Sequence, residues 1–160
     1  LLQGQQVGVE VGGLPALLER RKAARQRARQ LTPPLVMTSE GEVPQLVLPK
    51  DLPPGTLAGL GASAGVVEGV ARVIRDPASE VLKAGEILVA PFTDPGWTPL
   101  FVHAAGLVCD VGGMMTHGSV VAREYGIPAV VGVKIGTRRL RTGQRVRVDG
   151  SRGLVEVLES

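Results

Sequence analysis

The segment 111–128 constrains the fold of this chain more than any other part of the sequence. It follows an apolar run, contains the glycine pair Gly112–Gly113, and continues as a short amphipathic stretch that ends near Gly126. Thr116 belongs to the residue types that cap helix N-termini, and a glycine with a proline shortly after it is typical of a helix end. The pattern predicts a buried strand, a tight turn and a helix whose first turn contains His117.

A histidine at the start of a helix lies where the chain can bind an anion. The backbone N–H groups of the first turn lack partners, and the helix dipole favours negative charge there. Glycines that end a buried strand let the backbone turn sharply at the edge where α/β proteins place ligands. A neutral imidazole is a nucleophile. We therefore predict that His117 can accept a phosphoryl group, with Gly118 leaving space for its approach.

Other interpretations of these residues are weaker. A lone histidine is more often structural than catalytic, and the residues alone leave that alternative open. His103, Cys109 and Asp110 are the candidates for a metal site with His117, but none of the spacings matches a metal-ligand motif. We predict no metal site, and a buried core position for Cys109. Ser119 lacks both the nucleophile elbow and the base of a serine hydrolase.

Apolar runs separated by turn residues predict a mixed α/β domain from Leu57 to the C-terminus. Aromatic residues make up only 2% of the chain, so the core has to consist mostly of Val, Leu, Ile and Ala. Within 65–74 the pattern predicts that Val66, Val70 and Ile74 share the buried face. The predicted strands are 57–61, 65–74, 87–90, 107–111, 129–132, 144–149 and 154–157, and the predicted helices are 76–82, 94–105 and the one that begins at His117.

Composition divides the chain into three parts. Residues 1–31 contain a predicted helix over 14–31, and we expect a helical connector from an upstream domain, because the sequence opens at Leu1 without an initiator methionine. Residues 32–55 contain six prolines and are predicted to be a stiff linker. Residues 56–160 are the predicted compact domain.

Charge and hydropathy exclude several classes of partner. The net charge of +3 comes largely from one cluster of basic residues, formed by Arg20, Arg21, Lys22, Arg25, Arg27 and Arg29. Because no aromatic residues are interleaved with this cluster, we interpret it as a solvated helix face and predict no nucleic-acid binding. No apolar run is long enough to span a membrane, so we expect no membrane partner and a cytoplasmic location. A single cysteine excludes a disulfide within the chain.

The segment 112–132, GGMMTHGSVVAREYGIPAVVG, resembles the phosphohistidine signature of the PEP-utilising enzymes. The resemblance extends upstream through 85–91 and 93–99, and it covers the chain from about Leu57 onwards. Methionines stand at positions 114 and 115, where many members of the family have polar or basic residues. Among the family, the sequence is most similar to phosphoenolpyruvate synthases and rifampicin phosphotransferase-like proteins, and the two methionines favour the latter.

The resemblance implies a swivelling β/β/α phosphohistidine domain, preceded by a helix and a proline-bearing linker. It implies that His117 carries a phosphoryl group on Nε2 and that Gly113, Thr116, Gly118 and Ser119 shape the phosphate cradle. No cofactor is expected on this chain itself. ATP and Mg²⁺ are expected at an ATP-grasp domain elsewhere in the parent protein.

The resemblance implies two possible phosphoryl acceptors and does not distinguish them. An acceptor-binding domain of the parent protein would present pyruvate or an antibiotic-type hydroxyl group. The present chain is then the carrier part of a phosphotransferase, and we expect it to be inactive in the full reaction by itself. The alternative from another class of function is a non-catalytic interaction module that keeps the fold without the relay.

Overall fold

The computed structural model describes residues 14–31, 52–53 and 55–159. The predicted linker 32–55 lies almost entirely outside the described residues. The chain separates into two compact units, residues 1–43 and residues 44–160, which are described in turn.

The described part of the first unit is one helix, α1 (Leu14–Ala28), which contains no buried residue. It ends at Ala28, three residues before the predicted end, and a turn follows. An exposed ion pair between Lys22 and Glu19 spans 3.0 Å on its surface. Exposed pairs at this spacing stabilise a helix by only about 0.3–0.5 kcal/mol.

The second unit is built on one eight-stranded sheet with three short helices. The parallel strands β3 to β6 form its centre, and antiparallel strands flank them on both sides. The strand order is β1-β8-β7-β3-β4-β5-β6-β2. The strands are β1 (Leu57–Ala58), β2 (Leu60–Ser63), β3 (Val66–Val73), β4 (Ile87–Ala90), β5 (Gly106–Cys109), β6 (Ala129–Val131), β7 (Arg145–Asp149) and β8 (Leu154–Glu159), and the helices are α2 (Thr98–Phe101), α3 (His117–Tyr125) and α4 (Gly136–Arg139).

The two ends of the sheet meet because β1 and β2 are consecutive in the chain. Only Gly59 separates them, yet they occupy opposite ends of the strand order. The Gly59 N–H donates to the Gly153 carbonyl at 2.9 Å, which joins this crossing point to the β7–β8 turn. The sheet therefore curls over, and its antiparallel part covers one face of its parallel part.

The central strands are buried on both faces, and their side chains alternate between two cores. Leu88 and Ala90 of β4 pack with α2 and α3, whereas Ile87 and Val89 pack with the antiparallel strands. The sequences of strands that are covered on both faces are typically continuous apolar runs, and the sequences of these strands follow that pattern. This arrangement is a β/β/α layering, so the predicted mixed α/β fold is confirmed.

The predicted helix over 76–82 is wrong, and the segment forms turns instead. Asp76 accepts from the Ala78 N–H at 3.0 Å, as an N-cap residue would, but no helix follows. Within the segment only Leu82 is buried and Val81 is exposed, so there is no apolar face whose burial would stabilise a short helix. The predicted helix over 94–105 is also shorter than expected, since a 3₁₀ turn over Pro95–Trp97 precedes the four-residue α2.

The predicted buried face of β3 is wrong at two of its three positions. Val66 and Val70 are exposed and only Ile74 is buried, while Val67 and Ala71 face the interior. Apolar residues stand on both faces of this strand, so alternation alone does not identify the inner one. Pairing with both β7 and β4 determines which face is covered.

Candidate functional site

The N-terminus of α3 lies at the edge of the sheet where the parallel strands β4 and β5 end. β5 ends at Cys109, a loop over 110–116 follows, and α3 begins at His117. The helix ends at Gly126 in the left-handed conformation, with φ 67°, as the sequence predicted. The strand, turn and helix expected around the glycine pair are therefore present, and His117 is the first residue of the helix.

The His117 ring is held between α2 and its own helix. Its Nε2 lies 3.4 Å from the Thr98 hydroxyl oxygen, and the Phe101 ring meets it edge-on at a centroid distance of 6.1 Å. Its Nδ1 is buried and has no hydrogen-bond partner among the described residues. Since Nδ1 is enclosed, Nε2 is the ring nitrogen better placed to react with a group from outside.

Hydroxyl groups hold the turn before His117. The Gly113 carbonyl accepts from the Thr116 hydroxyl at 2.9 Å and from the Ser119 hydroxyl at 2.7 Å, and the two hydroxyl oxygens are 3.2 Å apart. Thr116 occupies the N-cap position, but its side chain accepts no capping hydrogen bond from a backbone N–H of α3. The structure thus brings Gly113, Thr116 and Ser119 together next to His117, with both hydroxyl groups bonded to the turn itself.

The glycines of this region differ in whether the structure leaves room for a side chain. A Cβ on Gly118 would lie 2.5 Å from the Thr93 hydroxyl oxygen, so this position is a close packing contact between α3 and the loop after β4. At Gly112 a Cβ would lie 2.9 Å from Cβ of Val131. Gly113 has open space, with nothing within 4 Å of an added Cβ. The space expected beside His117 is therefore at Gly113, and Gly118 instead brings Thr93 close.

Thr98 and Arg123 were not predicted as site residues. Thr98 is the first residue of α2, and only its place within the family-like segment 93–99 singled it out in the sequence. Arg123 donates to the Met114 carbonyl at 2.8 Å and to the Ala62 carbonyl at 3.0 Å. The bond to Met114 shows that the side chain turns back along α3 toward the loop before His117.

The other residues considered as metal ligands lie in different environments. Cys109 is 2% exposed, and burial raises the pKa of its thiol to about 12, so it stays protonated in the core. Asp110 is buried and accepts from the Thr137 N–H at 3.0 Å and from the Thr137 hydroxyl. His103 is exposed after α2. Within the described residues, no cluster of three or more ligating side chains is present.

Hydrophobic side chains surround the mouth of the site. Met114 is 48% and Met115 is 84% exposed, and Phe92 and Val111 are exposed on the adjoining loops. Those loops are neighbours, because the Val111 N–H donates to the Pro91 carbonyl at 2.9 Å.

None of the described helices has the length and hydropathy of a membrane-spanning segment.

Comparison with protein families finds a match over residues 82–153. The matching family is described as the mobile domain of PEP-utilising enzymes. The match includes β4, α2, β5 and all of α3, and therefore includes His117 and Thr98.

Comparison with characterised proteins finds rifampicin phosphotransferases. The chain is 57% identical over 143 residues to the one from Streptomyces sviceus and 52% identical over 143 residues to the one from Bacillus cereus. In both cases the aligned region covers 89% of this chain but only 16% of the relative. The chain thus spans about a sixth of the length of these proteins.

Comparison with solved structures supports the fold. The crystal structure of Thermococcus kodakaraensis aconitase X in its holo form matches with a TM-score of 0.51 and 25% sequence identity. The match covers 65% of this chain and 98% of that chain.

Proposed function

We propose that this chain is a phosphoryl carrier with His117 as the nucleophile, a proposal supported by its match to the mobile domain of PEP-utilising enzymes over residues 82–153. The observation that carries the proposal is the placement of His117 as the first residue of α3, with Nδ1 enclosed and Nε2 beside Thr98. A helix N-terminus offers backbone N–H groups to an anion, so a phosphoryl group on Nε2 would meet donors there.

In the proposed reaction the phosphoryl group comes from ATP bound, with Mg²⁺, at an ATP-grasp domain of the parent protein. The lone pair of Nε2 forms a bond to the β-phosphorus, the bond from that phosphorus to the α-phosphate oxygen breaks, and AMP leaves with that oxygen, while the proton of the neutral imidazole remains on Nδ1. Water cleaves the bond to the γ-phosphorus and releases inorganic phosphate, so ATP and water are consumed and AMP, inorganic phosphate and phosphohistidine are formed. The Thr98 hydroxyl donates to Nε2 before transfer and orients its lone pair.

The cradle of the phosphoryl group is proposed to comprise Gly113, Thr116, Gly118 and Ser119. Gly113 supplies open space, and Gly118 and Ser119 supply N–H groups of the first helical turn. The Thr116 and Ser119 hydroxyls fix the turn by binding the Gly113 carbonyl. Their role in the proposal is to hold the cradle in shape.

For the acceptor we propose a hydroxyl group of a rifamycin-type antibiotic rather than pyruvate. The proposal is supported by relatives named rifampicin phosphotransferase at 57% and 52% identity. The exposed methionines at 114 and 115 also present an apolar rather than a cationic surface beside His117. A large apolar acceptor would cover that surface, whereas a small carboxylate would gain nothing from it.

The carrier role is tested by phosphorylating the full-length parent protein with ATP labelled at the β-phosphate in the presence of Mg²⁺. We expect a label on the protein that is labile in acid and stable in base, and AMP formed in equal amount. Addition of rifampicin should remove the label, whereas pyruvate should not. His117→Ala should abolish labelling, and His103→Ala is the matched control that should label normally.

Equal labelling of the His117→Ala variant would refute the carrier role. A wild-type protein that takes up no label would favour the alternative, a non-catalytic interaction module. Removal of the label by pyruvate would retain the carrier but change its acceptor.

A further inference from the structure

We propose that Arg123 is a positioning residue for phosphoryl transfer, because its guanidinium fixes the loop 112–116 that leads into His117. The inference rests on the carrier function proposed above. It concerns the geometry of the nucleophile and not the identity of the donor or acceptor.

The guanidinium of Arg123 joins three elements of the domain. Its Nη1 donates to the Ala62 carbonyl of β2 at 3.0 Å, and its Nη2 donates to the Met114 carbonyl of the loop at 2.8 Å. Both acceptors are backbone atoms, so the bonds do not depend on the rotamer of another side chain. The planar fork of an arginine can hold two carbonyl groups at once in a fixed geometry.

The loop has little else to anchor it. Gly112 and Gly113 have no side chains, and Met114 and Met115 are 48% and 84% exposed. Burial of apolar surface therefore contributes little to fixing these four residues. Hydrogen bonds hold the loop instead. The Gly113 carbonyl accepts from the Thr116 N–H and from the Thr116 and Ser119 hydroxyls, and the Gly113 N–H donates to the Thr116 hydroxyl oxygen. The Met114 carbonyl accepts from Arg123, which ties the loop to β2 through the Ala62 carbonyl.

The position of this loop determines where the imidazole of His117 points. Met114 precedes His117 by three residues, and the loop enters the first turn of α3 directly. A shift of the loop would move the ring relative to Thr98 and Phe101, the two side chains that contact it. A misplacement of about 1 Å can slow a reaction about 100-fold, because attack requires aligned atoms at close range.

A positioning role and a phosphate-binding role for Arg123 predict different results. A phosphate ligand contacts the ATP phosphates, so its loss raises the ATP concentration at half-maximal rate. A positioning residue acts through the loop, so its loss lowers the saturating rate and loosens the segment 112–117. Because a lysine ammonium does not reproduce the guanidinium fork, Arg123→Lys should show the second result without removing the positive charge.

The experiment compares the full-length parent protein with its Arg123→Lys, Arg123→Gln and Glu124→Gln variants. Glu124→Gln is the matched control, since Glu124 is the next residue of α3 and is exposed. Two quantities are measured: the single-turnover rate of His117 phosphorylation as a function of ATP concentration, and amide hydrogen exchange of the segment 112–117. Thermal melting shows whether each variant is folded.

We expect Arg123→Lys and Arg123→Gln to lower the saturating rate by about 10- to 100-fold, with the ATP concentration at half-maximal rate unchanged within about twofold. Amide exchange over 112–117 should become faster in both variants, and Glu124→Gln should match the wild type in every measurement. A wild-type rate in Arg123→Lys would overturn the proposal. An unchanged saturating rate with a higher ATP concentration at half-maximal rate would also overturn the proposal, because that result would indicate that Arg123 binds a phosphate of ATP.

Loss of cooperative melting in both arginine variants would also overturn the proposal, since Arg123 would then support the fold as a whole. If the wild-type protein takes up no label, the carrier function fails instead. The exchange measurement still decides in that case whether Arg123 fixes the loop.

Discussion

Two glycines near His117 have different roles in the packing around it. At Gly118 the missing side chain lets the Thr93 hydroxyl lie against α3, and at Gly113 it leaves open space beside the helix N-terminus. One glycine is therefore needed for packing, and the other is free to be replaced as far as stability is concerned.

Substitution by alanine should destabilise the domain at Gly118 but not at Gly113. Gly118→Ala is expected to lower the free energy of unfolding by about 1 kcal/mol, because overpacking costs about 1–3 kcal/mol while alanine in a helix returns about 1 kcal/mol. Gly113→Ala, with nothing within 4 Å and no positive φ, should stay within about 0.5 kcal/mol of the wild type. Urea unfolding of the two variants measures both values. Equal destabilisation of the two would show that the Thr93 contact does not govern Gly118.

Among the secondary-structure elements, β3 and β4 are joined by a paired charge as well as by their backbone ladder. Arg72 of β3 donates to both carboxylate oxygens of Glu86, at 3.0 and 2.6 Å, and Glu86 also accepts from the Lys83 N–H at 2.9 Å. The hydrogen bonds from Arg72 and from that backbone N–H hold the pKa of the Glu86 carboxyl below its usual value of 4.5. Two-point binding of this kind fixes the turn that leads into β4.

The lowered pKa of Glu86 predicts a dependence of stability on pH. A carboxyl whose pKa is lower in the folded state stabilises the fold at pH values above its unfolded value, and this contribution is lost as the pH falls through the folded value. The wild-type domain should therefore lose thermal stability below about pH 4.5 more steeply than Glu86→Gln. Melting temperatures from pH 7 to pH 3 measure the difference. Parallel curves for the two proteins would contradict the role given to Glu86.

The elements differ in how far they were predictable. The strand, turn and helix around His117 were predicted because Gly112, Gly113 and Gly126 act locally, through backbone conformations that are read from a few residues. The turns at 76–82 were missed because Asp76 and Pro77 form a local helix-start pattern, whereas the segment buries only Leu82 and so has no apolar face to stabilise a helix. Thr98 was missed as a site residue because its partner His117 is 19 residues away in the chain. Arg123 was missed because its partners, the carbonyls of Met114 and Ala62, are backbone atoms that no side-chain pattern marks.

The whole domain depends on the closure of the sheet where β1 passes into β2. A Cβ on Gly150 would overlap the Ser63 carbonyl and lie 2.8 Å from the Ala129 nitrogen, so three strands or their ends meet at this glycine. The closed sheet keeps the edge that carries the β4 and β5 loops in a constant shape. A carrier that visits two separate sites needs such a rigid frame, because the geometry at His117 has to be the same at both.

Closure of the sheet predicts that Gly150→Ala is severe. The atoms that an added Cβ would meet are backbone atoms, which cannot rotate away, and we expect a loss of about 3 kcal/mol in the free energy of unfolding. Gly113→Ala again serves as the control. Circular dichroism during thermal unfolding measures the loss. A Gly150→Ala variant as stable as its control would mean that the sheet ends are not in close contact.

The most direct test of the central claim is the identification of the phosphorylated atom by nuclear magnetic resonance. In the phosphorylated parent protein labelled with ¹⁵N-histidine, the signals that disappear in the His117→Ala variant belong to the His117 ring. We expect a ³¹P–¹⁵N coupling at Nε2 of His117, and an Nδ1 that remains protonated and unmodified. Coupling at Nδ1, or phosphate on His103 or on the hydroxyl of Thr116 or Ser119, would contradict the proposed carrier role of His117.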